Sequence, residues 1–187
     1  MRCLPMGAIC GLRAGVAKVK VGRPMAEGMA LTTGAEAGNW RDNGVRVIKG
    51  DRLDSNTAQT PGMFRQAAIN HARVGAQKLW AGTVSIEANA KTGAHHHGAL
   101  ESVIYVVRGR ARMRWGDSLE FTAEAEAGDF IFVPPYVPHQ EINASPDEVL
   151  ECVLVRSDNE AVVVNLDIAP VEAPEAVYWV DPIHKHP

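Results

Sequence analysis

The sequence predicts an all-β domain of the sandwich or barrel class. From about residue 79, short runs rich in Val, Ile, Phe and Thr follow one another, separated by Gly, Pro, Asn and Asp. No helical apolar stripe of comparable length interrupts them. Turn chemistry falls where the runs end, the pattern of a chain that folds back on itself repeatedly.

The elements follow in order. Candidate strands lie at 79–86, 103–107, 111–115, 119–123, 130–133, 140–143, 150–155 and 162–166. Arg108-Gly109 can close a hairpin between the second and third, because Gly takes positive φ at little cost. Gly116-Asp117 serves the next pair, and Gly128-Asp129 introduces the run at 130–133. Pro134-Pro135 ends that run, since proline cannot donate to a ladder. Upstream, 41–78 reads as an arm or loop packing on the barrel, with Met63 to Ala72 as a short helix or part of that arm. The barrel itself is expected over 79–167, followed by a proline-rich tail at 168–187. Residues 1–24 carry five basic residues and no acid, yet the apolar stretch after Arg2 is short for a targeting segment. Residues 1–40 are therefore expected to be a disordered leader or an upstream extension, with Met25 or Met29 as alternative starts.

Composition narrows the function classes. Hydrophobic residues make up 46% of the 187 positions, enough for a core, and the net charge is -3. Neither nucleic acid nor an anionic membrane is the expected partner, because both favour a basic face. Three cysteines at irregular spacing give no disulfide framework or zinc knuckle. Cys152 sits in an apolar run and reads as a buried thiol. With no apolar run long enough to span a bilayer, a reducing cytoplasm is the expected setting.

The chemistry concentrates in a histidine run. Alternate residues on a strand share a face, so His95 and His97 can converge while His96 turns away. Glu101 follows shortly after, and His139 lies several strands later. Imidazoles with a carboxylate suit one divalent transition metal (Fe, Mn, Ni, Zn or Cu) better than Ca or Mg.

The two segments together resemble a known family. His95-His96-His97-Gly98-Ala99-Leu100-Glu101, followed by Gly109, resembles the first cupin motif. Gly128, Pro134, His139 and Asn143 carry the spacing of the second, with Tyr136 where the family has glycine. Asn89 replaces the family's glycine six positions before His95. The resemblance implies a double-stranded β-helix, or jelly-roll barrel, with His95, His97, Glu101 and His139 as metal ligands. It also implies a small-molecule ligand or substrate and pairing into a homodimer. The interval from Glu101 to Gly109 is one residue longer than the family's, which puts Ser102 at the carboxylate position when counted back from Gly109. Either the turn absorbs the extra residue and Glu101 reaches in, or Glu101 faces out and three histidines hold the metal.

Glu141 shares a strand face with His139 and Asn143 by period two. It is either a catalytic acid or base tuned by burial and nearby charge, or a solvated residue at the barrel mouth. Tyr105, Phe130, Phe132 and Tyr136 are pocket or core candidates; Arg112 and Arg114 read as a solvated face or as anion recognition. His184 and His186 form a second alternating pair without supporting motifs. The expected function is a metal-dependent, dioxygenase-type enzyme acting on a small organic molecule. The alternatives are a metal-dependent isomerase or lyase, and a non-catalytic small-ligand binder.

Overall fold

The computed structural model describes residues 40–42, 44–159 and 162–180. Two units divide at Gly44, and all that follows concerns the second, Val45–Pro187. The expected leader, residue 40 apart, and the pair His184 and His186 lie outside the described residues.

A single turn of 3-10 helix at Gly50–Arg52 precedes β1 (Phe64–Ile69) and a one-turn helix, α1 (His71–Val74). The strands then run β2 (Trp80–Ile86), β3 (His95–His96), β4 (Ser102–Arg108), β5 (Arg110–Trp115), β6 (Phe121–Glu126) and β7 (Phe130–Val133). They continue with β8 (His139–Asn143), β9 (Leu150–Arg156), β10 (Val164–Asn165) and β11 (Glu175–Ala176). Two sheets result. The five-stranded sheet has the order β1-β2-β9-β4-β7, and the six-stranded sheet β10-β3-β8-β5-β6-β11. Pairing is antiparallel except between β11 and β6. Late strands insert between early ones, β9 between β2 and β4 and β8 between β3 and β5, which is the jelly-roll arrangement. No helix among the described residues is long and apolar enough to cross a membrane.

Each predicted run carries a strand, and the burial alternation explains why. In β9, Leu150, Cys152, Leu154 and Arg156 are buried while the residues between them are half-buried. β2 repeats this with Trp80, Val84 and Ile86 inward. These residues meet Ile104, Val106, Met113 and Val133 in one core. The hairpin expected at Arg108-Gly109 does not form: β4 and β5 belong to different sheets, and Gly109 carries the chain from one to the other at φ +88°, where a Cβ would also come within 3.0 Å of the Val149 carbonyl oxygen.

The segment Met63 to Ala72 differs from expectation. It forms a strand and a short helix, and β1 pairs with β2 as an edge of the five-stranded sheet. Its alternation is hidden because one of its two fully inward residues is Arg65 rather than an apolar side chain. Arg112 and Arg114 tie neighbouring segments together: Arg112 pairs with Glu124, and Arg114 donates to the carbonyls of Leu119 and Val171.

Candidate metal centre

β3 and β8 are neighbours, and their register sets His95 opposite His139. His97 follows β3 directly and returns to the inward side after one residue. His96 points away, half-buried, and its Nδ1 accepts from the Gly98 amide at 2.9 Å. Period two along β8 turns Glu141 to the same side as His139. The metal-ligating atoms of His95, His97, His139 and Glu141 all lie within 4.8 Å of one another. All four side chains are buried.

Backbone carbonyls set the imidazole tautomers. Nδ1 of His95 lies 2.9 Å from the Gly93 oxygen, that of His97 2.9 Å from Val162, and that of His139 2.9 Å from Val137. A carbonyl only accepts, so each Nδ1 carries a proton and each ring, when neutral, keeps its lone pair on Nε2. The three lone pairs converge with the Glu141 carboxylate, whose Oε2 is 3.5 Å from His95 Nε2 and Oε1 3.7 Å from His139 Nε2. Nε2 of His95 and of His139 has no hydrogen-bond partner although both are buried. Buried polar atoms are nearly always satisfied, and an electron-pair acceptor is what these lone pairs lack. The donor set fits a divalent transition metal in type as well as in spacing. Hydrogen bonds from the far side of a ligating histidine, as here to three carbonyls, are the usual means of orienting it.

In the metal-free site the electrostatics favour neutral His95 and His97 and a protonated His139 beside a charged carboxylate. Burial, followed by the Arg156 guanidinium, pushes His97 down to about 3, and burial also lowers His95 against the pull of Glu141. For His139 burial works downward, but Glu141 outweighs it and the pKa is raised. Burial would raise Glu141; His139, with His95 and His97, outweighs that and holds it below the usual carboxylate range. Thr92 fixes the carboxylate further. Its hydroxyl donates to Glu141 Oε2 at 3.0 Å and accepts from the Glu141 amide at 3.0 Å.

Glu101 is not part of this group, contrary to the ligand set expected from the first motif. It is exposed, and its backbone bonds to Ser157 through the amide and the carbonyl. The structure takes the second of the two alternatives, with Glu101 facing out. From Ser102 to Val106 the alternation is regular, with Ser102 inward and 1% exposed, so the residue before it, Glu101, turns outward. The carboxylate of the site comes instead from Glu141, across the barrel on β8.

Other motif residues have structural duties. The Asn143 side chain donates to the carbonyls of Ile86, Glu87 and Glu148, locking the end of β8 to two loops. Asn89 and Tyr136, which stand where the family has glycine, both adopt φ +61°. Cys152 is a free thiol pushed up to about 12 by burial, which makes it inert.

Two arginines complete the interior. Arg65 on β1 is 0% exposed and Arg156 on β9 is 1% exposed. Arg156 Nη2 donates to His97 Nε2 at 3.1 Å, and its guanidinium lies 6.0 Å above the Trp80 ring. Burial, with Arg65 nearby, lowers Arg156 to about 9. Neither arginine was a sequence candidate. The available signal was a charged residue in phase with inward apolar positions: Leu150, Cys152, Leu154, then Arg156.

A cavity of about 1140 Å³ reaches the centre at His139. It lies where β7, at the edge of one sheet, meets β5 and β6 of the other, and Phe130, Phe132, Tyr178 and Trp179 stand at its rim.

Comparison with known proteins bears on the fold. No curated protein matches the sequence. A conserved protein with a double-stranded β-helix domain from Klebsiella pneumoniae has TM-score 0.51 at 16% identity, covering 66% of this chain and 98% of its own. The polyketide cyclase RemF from Streptomyces resistomycificus gives TM-score 0.53 at 21% identity, over 70% of this chain and 89% of its own. A deletion mutant of oxalate decarboxylase OxdC from Bacillus subtilis gives 0.51 at 22%, over 60% of this chain but only 30% of the enzyme chain. The family model described as Cupin domain matches residues 82–156, the stretch that runs from β2 to the end of β9. With both histidine segments inside that match and the double-stranded β-helix around them, residues 82–156 form a cupin domain.

Proposed function

We propose that this protein is a metal-dependent enzyme of the oxygenase type, acting on a small organic molecule at the base of the barrel. The observation that carries the reading is the convergence of three imidazole Nε2 atoms, two of them without a hydrogen-bond partner, and one carboxylate at the end of a largely apolar cavity. A site that needed only structural zinc would be closed by its ligands, whereas this one opens onto a space of ligand size. His95, His97, His139 and Glu141 hold the ion. The ion supplies Lewis acidity and, if it is iron, access to dioxygen chemistry. The chain's own residues do the rest. Thr92 and three backbone carbonyls orient the ligands. Met113, Trp115, Ile131 and Val133 exclude water and receive the apolar part of a substrate. We assign Glu141 to holding the metal, since its oxygens lie among the ligand atoms and it is the only buried acid among the described residues.

The free, buried Cys152 is in keeping with a reducing compartment such as the cytoplasm. Val103, Val107, Phe130 and Phe132 are exposed on β4 and β7, an apolar outer face that suits a homodimer contact.

The test is turnover by the full chain loaded separately with Fe(II), Mn and Zn, against a panel of small aromatic and aliphatic acids, with oxygen uptake recorded. Oxygen uptake matched to substrate loss with Fe(II) alone is expected. Turnover without oxygen uptake would make the protein an isomerase or lyase, and stoichiometric ligand binding without turnover a binding module.

A further inference from the structure

Five buried side-chain atoms lack hydrogen-bond partners among the described residues: Nε of Arg65, Nε2 of His95, Oγ of Ser102, Nε2 of His139 and Nε of Arg156. A metal ion satisfies the two imidazole lone pairs. It does nothing for the two guanidinium N–H groups, which need an acceptor, nor for the Ser102 hydroxyl. Ser102 lies opposite Arg156 in the β4–β9 register, so these groups neighbour one another on the five-stranded sheet.

Charge makes the same demand. Two buried guanidinium groups face one buried carboxylate, Glu141, leaving an uncompensated positive charge even before a divalent ion is added. Buried charge without a counterion is costly enough that proteins pair it. No second buried acid is present among the described residues.

Arg156 connects this excess to the metal centre. Its Nη2 donates to His97 Nε2, the lone pair that His97 would present to a metal. One lone pair cannot serve both. When His97 turns to an ion, Arg156 loses an acceptor and is left beside the ligand group with a free donor.

We propose that the barrel interior binds a small carboxylate with an apolar body, and that Arg156 anchors the carboxylate beside the metal while the cavity takes the body. This rests on the metal reading above. The ligand's negative charge answers both the ion and the guanidinium, and guanidinium–carboxylate pairs are among the stronger charge-assisted hydrogen bonds. Ser102 offers a further polar contact, and Arg65 adds to the field without needing to touch the ligand.

The experiment compares benzoate with benzamide, of similar shape but neutral, by calorimetric titration of the full chain, metal-loaded and metal-free. Metal content is measured on the same samples. Benzoate is expected to bind at least about 10-fold tighter than benzamide to the loaded protein, the effect of one charge-assisted contact. Arg156→Gln should keep its metal and lose that preference. Arg156→Lys, which retains the charge without the planar fork, should keep metal and show a preference reduced severalfold, and it serves where the Gln variant does not fold. Equal binding of the two probes overturns the proposal, as does an undiminished benzoate preference in a metal-loaded Arg156 variant. If the parent takes up no metal, the metal reading fails by itself. The metal-free titrations then decide: a benzoate preference that depends on Arg156 sustains the anion site, and no preference ends it.

Discussion

The two sheets face each other across the barrel with opposite chemistry. The inner face of the six-stranded sheet, with the turn after β3, presents electron pairs: His95, His97, His139 and Glu141. The inner face of the five-stranded sheet presents hydrogen-bond donors, Arg65, Arg156 and Ser102, on a background of Trp80, Leu150 and Leu154. Lone pairs call for a cation and donors for an anion. The contrast teaches that neither face is complete alone, and that the space between them is suited to an ion and a negatively charged partner together. It also separates duties: one sheet carries the metal, the other most of the apolar burial.

That separation can be broken from either side. The largest loss of stability should follow Trp80→Ala, since Trp80 is 1% exposed in the core of the five-stranded sheet. About 3–5 kcal/mol is expected from denaturant unfolding, the usual cost of emptying so large a site. A variant within 1 kcal/mol of the parent would mean that this face contributes little to the core.

Acid should act on the opposite face. His97 is held down to about 3, against 6.5 when unfolded, so the unfolded chain takes up its proton first. The stability contributed by neutral His97 is complete above pH 6.5 and is lost as pH falls from 6.5 toward 3, and His95 moves the same way. Glu141, lowered, adds to the loss below its ordinary range, near 4.5. His139, raised, changes above pH 6.5 and is silent in this window. The melting temperature of the metal-free protein should therefore fall by several degrees between pH 6.5 and 4.5, with a shallower slope in His97→Asn. A flat profile would contradict neutral buried imidazoles.

A smaller effect tests the support behind the ligands. Thr92→Val removes the hydroxyl that holds Glu141 Oε2. Metal affinity should weaken about 10-fold, the lower end of the range for groups behind a ligand, in a competition assay with a chelator. Unchanged affinity would mean that Glu141 needs no such clamp.

The smallest change concerns the loop between β7 and β8. Tyr136 is 63% exposed at φ +61°, where a bulky residue is strained. Tyr136→Gly should stabilise by about 1 kcal/mol in thermal or denaturant unfolding. A loss of stability would show that the contact of Tyr136 with the His96 ring, 6.0 Å between centroids, outweighs the strain.

Much of this was legible in the sequence. Strands such as β2 and β9 announce themselves because inward apolar residues alternate with more exposed ones. His95, His97 and His139 are readable because histidines at fixed spacing sit between recognisable turns. Glu101 was misplaced for a physical reason: period two makes facing depend on a single residue, and both faces of β4 carry apolar residues, so that only the burial of Ser102 fixes the phase. Glu141 stood in phase with His139, yet its convergence with His95 depends on β3 lying beside β8, a non-local pairing. Arg65 and Arg156 were hidden because a charged residue in a strand reads as solvent-facing until the opposite sheet is in place.

The most direct test is the metal content of full-length protein purified without a histidine tag, beside His97→Ala and His139→Ala. About one transition metal ion per chain in the parent, lost in both variants, is the predicted result. A parent that is metal-free and remains so after reconstitution with Fe(II), Mn, Ni and Zn would contradict the metal centre.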